Sequence, residues 1–165
     1  MADGKIMIYT GDGHGKTPAA MGVALQTASR GGNVTVVQFL KGRGLEDTEL
    51  IKRLEPEIRI FRFEKSDIPF DQRTQEEKDE DLTNIRNGLN FARKVLSTAE
   101  CDLLILDEVL GLVDNKIITV SELRSLLENR KETDVILTGI TMNDEICMFA
   151  SEITKFETVK FKTFP

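Results

Sequence analysis

Residues 10–18 read TGDGHGKTP and directly follow the apolar run KIMIY. Holding a nucleotide's phosphates takes several backbone N–H groups converging on one point, small residues that let the chain come close, and a cation beside the negative charge. Gly11, Gly13 and Gly15 permit the tight path, Lys16 supplies the charge, and Thr17 offers a hydroxyl to Mg²⁺ at a helix N-terminus. The usual spacing puts glycine where this chain has Thr10, so the loop is a variant and needs a second marker. Residues 102–108, DLLILDE, supply it: an apolar run ends in Asp107-Glu108, the form of an acidic strand that holds or orients a magnesium ion opposite the loop. Taken singly, a glycine-rich turn explains the first feature and a helix cap or surface turn the second. Together, with a strand before the loop and a helix after it, they read as one nucleotide site.

The elements that must position these residues follow from hydrophobic period. Runs at 5–10, 34–40, 58–63, 102–108, 134–140 and 157–162 read as strands. Those at 34–40, 102–108 and 134–140 are nearly continuous in apolar residues, as strands covered by helices on both faces must be, and belong at the sheet centre. Those at 58–63 and 157–162 alternate apolar with polar or basic residues and belong at its periphery. Helices are predicted over 16–30, 46–54, 74–98, 120–129 and 143–151. In the third, Leu82, Ile85, Leu89, Ala92 and Leu96 recur at three- and four-residue steps behind an acidic start at 76–80. Thr119 and Glu122 form a capping-box pattern ahead of the fourth. Strand and helix alternate throughout, which predicts a single α/β domain over 1–165: a three-layer, P-loop NTPase-like (RecA-like) fold with a mainly parallel central sheet. The segments 41–47 and 64–73 are the two irregular connections, at strand ends where α/β folds place binding sites.

Composition bounds the function. The formal net charge of −6 argues against nucleic acid as a partner, since such binding needs clustered Lys and Arg, but allows a basic pocket for one small anion. Cys101 and Cys147 lie far apart and the chain has one His, so neither a zinc site nor a disulfide framework is indicated, and both thiols are expected reduced. No apolar run approaches the ~18 residues that span a bilayer, and no secretory leader is evident, which predicts a cytoplasmic protein without a membrane partner.

The stretches YTGDGHGKTPAAMGVALQTASRGGNVTVVQFLKG (9–42), DLLILDE (102–108) and DVILTG (134–139), in that order, resemble the P-loop ATP:corrinoid adenosyltransferases, the cob(I)alamin adenosyltransferases. The resemblance spans most of the chain, and VVQFLKG, with Gln38, Lys41 and Gly42, is not a general feature of P-loop proteins. It implies transfer of the 5′-deoxyadenosyl group from MgATP to the reduced cobalt of a corrinoid such as cobalamin, with release of triphosphate. Carried over by position, Gly11, Asp12, Gly13, His14, Gly15, Lys16 and Thr17 hold the phosphates, and Gln38 and Lys41 join the nucleotide site. Lys16 and Glu108 are the residues on which transfer depends, and Thr17, Asp107 and Glu108 serve magnesium. Phe61, Phe63 and Phe70 are candidates to line the corrinoid face, with core packing as the alternative. A reductase that delivers cob(I)alamin and a homodimer that covers the corrinoid are the partners implied.

The chain departs from the family pattern at His14, where lysine is usual, at Pro18, where a hydroxyl residue is usual, and at Ile140, where arginine is usual. Two other readings therefore stay open: a nucleotide-binding or regulatory homologue that has lost the transfer reaction, and a P-loop ATPase or kinase with another substrate. Proline removes one N–H that would face a phosphate while its fixed φ still suits the first helical turn. Pro18→Thr is accordingly expected to tighten ATP binding by roughly tenfold, the worth of one charge-assisted hydrogen bond. Calorimetry showing equal or weaker affinity would overturn this account of the loop.

Overall fold

A computed structural model of the chain describes residues 3–40, 48–63 and 68–162. Six strands form one sheet: β1 (Ile6–Thr10), β2 (Val34–Gln38), β3 (Ile58–Arg62), β4 (Leu103–Asp107), β5 (Asp134–Thr138) and β6 (Glu152–Lys155). All five pairings are parallel, in the order β3-β2-β4-β5-β1-β6. The predicted fold class stands, with the sheet wholly parallel. The helices are α1 (Lys16–Ser29), α2 (Glu49–Lys52), α3 (Gln75–Thr98), α4 (Val109–Asp114), α5 (Val120–Leu127) and α6 (Asp144–Cys147), with a 3₁₀ turn at Phe70–Gln72.

Period-two pleating divides the core. Leu104 and Leu106 of β4 and Leu137 of β5 face a layer built from α3, α4, α5 and α6, where Ile85, Ala92, Leu96, Leu112, Leu123 and Ile146 are buried. Leu103, Ile105 and Ile136 face the other way, against Ala20 and Ala24 of α1. Two alanines on that face let α1 lie close to the strands, and α1 contacts β1, β2, β3, β4 and β5. α3 also approaches closely: a Cβ on Gly88 would lie 2.8 Å from Phe39 and 3.0 Å from Phe63. Phe61 and Phe63 stack on Phe91 of α3, with ring centroids 4.5 and 5.9 Å away. Both are half-buried, and the Phe70 side chain lies outside the described residues.

Several expectations need correction. The last strand is β6 at Glu152–Lys155, while 157–162 has no regular structure. β6 lies at the sheet margin, pairs with β1 alone and exposes all four residues, so no apolar run marks it. The second helix is confined to Glu49–Lys52 and the last to Asp144–Cys147, and α4 had no counterpart in the prediction because its six residues are too few to show a period. At α5 the Thr119 hydroxyl accepts the Glu122 N–H, but the Glu122 carboxylate binds Arg86 of α3 at 2.6 Å instead of closing a capping box. The reciprocal box occurs at Thr74 and Glu77, where α3 begins. Both cysteines are free; burial pushes the Cys101 and Cys147 thiols up, away from the reactive thiolate form.

The approach to α3 is fastened by an ion pair. Arg73 and Asp81 are 6% and 7% exposed, and the Arg73 guanidinium donates to the Asp81 carboxylate and, through Nε, to the Ile68 carbonyl at 2.6 Å. Removing one member leaves the other's charge without its buried partner, a change that typically costs about 3–5 kcal/mol, whereas exchanging both for apolar residues is often neutral. Asp81→Ala is expected to lose about 3 kcal/mol in urea unfolding, and the double variant Arg73→Met/Asp81→Leu much less. A single variant as stable as the parent would contradict this role.

Candidate nucleotide site

Three neighbouring interior strands each end in a polar residue. Gln38 closes β2, Asp107 closes β4 and Thr138 closes β5. Gln38 is in register with Asp107, and Leu106 with Leu137 one step earlier, so the three form a row across the carboxyl edge of the sheet. By pleat they share the face of Leu103, Ile105 and Ile136, the face on which α1 lies. All three are buried, Asp107 at 0% exposure.

A carboxylate taken out of water needs donors, and this one has them. Asp107 Oδ1 accepts from Thr17 Oγ1 of α1 at 2.9 Å and from Thr138 Oγ1 at 2.7 Å, and Oδ2 accepts from Gln38 Nε2 at 3.3 Å. The Gln38 Oε1 is buried and has no partner among the described residues. Thr138 Oγ1 in turn accepts the Glu108 N–H at 2.8 Å. Glu108 itself sits at φ 62°, in the left-handed region, as the cap of α4. That conformation costs a non-glycine residue about 1–2 kcal/mol, and it turns the chain sharply out of β4.

The loop wraps over the start of α1. Gly11 and Gly15 adopt φ 109° and 106°, which side-chain-bearing residues rarely do. Lys16 Nζ donates to the carbonyls of Gly11 at 2.7 Å and Gly13 at 2.9 Å, bridging the loop from within. Three amides of the loop are bound by other segments: Gly11 N–H by the Ile140 carbonyl at 3.0 Å, Gly13 N–H by the Phe156 carbonyl at 3.0 Å, and His14 N–H by the Thr158 hydroxyl at 2.8 Å. The segment leaving β6 therefore straps the loop. It lies so near that a Cβ on Gly11 would be 2.3 Å from the Phe156 carbonyl oxygen, and one on Gly13 2.7 Å from the Glu157 nitrogen.

Of the residues singled out from sequence, the structure joins Thr17, Gln38 and Asp107 by direct hydrogen bonds, and Glu108 through Thr138. Lys16 is in the loop, and the side chains of Asp12 and His14 are exposed there. Lys41 lies outside the described residues. Ile140 projects into solvent, 59% exposed, and serves the loop through its carbonyl, which also accepts from Thr10 Oγ1 at 3.2 Å. Sequence reasoning missed Thr138 and the strap at 156–158. A signal for Thr138 was present: VTVVQ, LLILD and DVILT all end in a polar residue at the same pleat position. The strap carries no local pattern and is set by where β6 docks.

The donor set suits a hard divalent ion. Thr17 Oγ1 directs its proton at Asp107, and Glu108 follows as a second carboxylate in the next residue of the chain, so hydroxyl and carboxylate oxygens, the ligand type such an ion prefers, stand together here. Among the described residues, no group of three or more His, Cys, Asp and Glu side chains forms a metal cage. Magnesium requires none, since it keeps water and takes one or two carboxylates together with phosphate oxygens.

A search of solved structures finds a KaiC-like protein of Pyrococcus horikoshii OT3 with TM-score 0.53 and 16% identity, covering 98% of this chain and 77% of that one, a likeness of fold. Corrinoid adenosyltransferases of Escherichia coli K12 and Salmonella typhimurium LT2 are 29% and 28% identical over 158 residues, 95% of this chain and 78% of theirs. A corrinoid adenosyltransferase of Sinorhizobium is 26% identical over 160 residues, 95% of this chain and 73% of its own. The family model described as ATP:corrinoid adenosyltransferase BtuR/CobO/CobP matches residues 2–163, and the chain belongs to that family.

Proposed function

We propose that the loop and the polar row beneath it bind MgATP and present its ribose C5′ to the cobalt(I) of a reduced corrinoid. The cobalt electron pair forms the Co–C5′ bond, the C5′–O bond breaks, and triphosphate departs with the bonding pair. The metal is the nucleophile, so no side chain has to remove a proton. The protein's tasks are to position C5′ and to stabilise charge on the leaving triphosphate. The observation that carries this reading is the hydrogen bond from the Thr17 hydroxyl to fully buried Asp107, which joins the loop's helix to the acidic strand.

The residues divide the work. The amides of Gly15 and Lys16 open α1 and favour an anion at its N-terminus. The Lys16 ammonium carries three protons; two reach the Gly11 and Gly13 carbonyls, and the third is directed to a phosphate oxygen. Thr17 and Glu108 hold magnesium, and Asp107 orients Thr17. When bound, the ion offsets the negative charge developing on triphosphate. Because cobalt(I) is consumed, a reductase must act immediately before this protein, and the reducing conditions that both require suit the cytoplasm. A second copy of the chain covering the corrinoid completes the proposal.

Two observations favour a second reading, nucleotide binding without transfer. Pro18 gives no N–H to the first turn of α1, and the Gly13 and His14 amides are bound by the strap. One assay separates the readings. The protein, incubated with ATP and cobalamin under strong reduction, is expected to yield adenosylcobalamin, seen in the corrinoid spectrum, and triphosphate. Lys16→Ala should lower the transfer rate by roughly 10²–10³-fold, the usual loss when a preorganised charge donor is removed. ATP bound with no adenosylcobalamin formed favours the second reading. Formation of ADP and inorganic phosphate would instead identify a phosphoryl-transfer enzyme.

A further inference from the structure

We infer that Thr138 is a positioning residue for the acidic pair Asp107 and Glu108, a role that rests on the MgATP reading above. The sheet order gives the reason for its place. β5 lies between β4, which carries the acidic pair, and β1, which leads into the loop, so its last residue stands between the two halves of the site. Thr138 fills that position with a fully buried hydroxyl.

A hydroxyl has one proton to give and lone pairs to receive with, and here both are committed. The proton goes to Asp107 Oδ1 at 2.7 Å, and a lone pair receives the Glu108 N–H at 2.8 Å. One side chain thus sets two features of the site. It fixes the rotation of the Asp107 carboxylate whose Oδ1 also receives the Thr17 proton, and so fixes which way the Thr17 lone pairs face. It also holds the Glu108 backbone in its left-handed turn, from which that carboxylate leaves the strand. Valine has nearly the same shape but can do neither, whereas serine can do both.

Side chains that hold a metal's ligands in place through hydrogen bonds are worth about 10–100-fold in metal affinity. The measurable quantity is the ratio of ATP dissociation constants in EDTA and in excess Mg²⁺, taken by calorimetry on the full chain. A general loss of stability alters both constants together, so the ratio isolates the metal. We expect this ratio to fall by roughly tenfold in Thr138→Val and to stay within about twofold of wild type in Thr138→Ser. If the valine variant does not fold, as judged by circular dichroism, Thr138→Ala takes its place in the same comparison. A ratio unchanged in the valine or alanine variant, beside a wild type that requires Mg²⁺, overturns the role of Thr138 and leaves the MgATP reading intact. A wild-type ratio near one overturns both.

Discussion

A buried carboxylate is the constraint around which this protein is arranged. Asp107 has no contact with solvent, and an ionised group so placed costs several kcal/mol unless its oxygens are met by donors. Those donors arrive from Thr17 on α1, Gln38 on β2 and Thr138 on β5. No two of them belong to one element, so these three hydrogen bonds form together only when helix, sheet register and strand order are all correct. A slip of one residue in β5 would turn Thr138 to the opposite face and leave Leu137 in its place. The parallel sheet suits this task because it aligns the carboxyl ends of successive strands on one edge, where polar residues can stand side by side.

The loop above this row depends on closeness. Two glycines take positive φ, and the backbone of residues 156–157 passes where side chains on Gly11 and Gly13 would otherwise lie. Lys16 draws the loop carbonyls inward, while three amides point outward to Ile140, Phe156 and Thr158. The glycine spacing thus answers to the protein's own chain as much as to a ligand. It also explains how a member of this family can carry Ile140 at a site contact: the contact is made by the carbonyl, which any side chain permits.

The α/β alternation and the central strands were legible because a buried parallel strand needs a continuous apolar run, and VTVVQ, LLILD and DVILT each show one. Lys16, Thr17 and Asp107 were singled out because phosphate and metal chemistry restricts the residue types and spacing that serve it, and the structure joins Thr17 to Asp107 and ties Lys16 into the loop. What escaped was information held between elements. β6 is exposed and pairs on one side only, so its four residues carry no pattern, and VKFK further on imitates one without pairing. Glu122 appeared to be a cap because sequence shows Thr119 nearby and cannot show Arg86, which comes from another helix. Thr138 closes DVILT as Gln38 and Asp107 close their strands, but its two partners, the Asp107 carboxylate and the Glu108 N–H, emerge only once β5 is placed beside β4.

The strap gives the loop a dependence that its own sequence does not contain. β6 joins the sheet through β1 alone, and its exit binds the Gly13 and His14 amides. Fraying at this border therefore reaches the glycine loop without crossing the hydrophobic interior. The setting of this loop is tied to the rim of the molecule, and a change many residues downstream in the chain is, in space, a change next to the glycines.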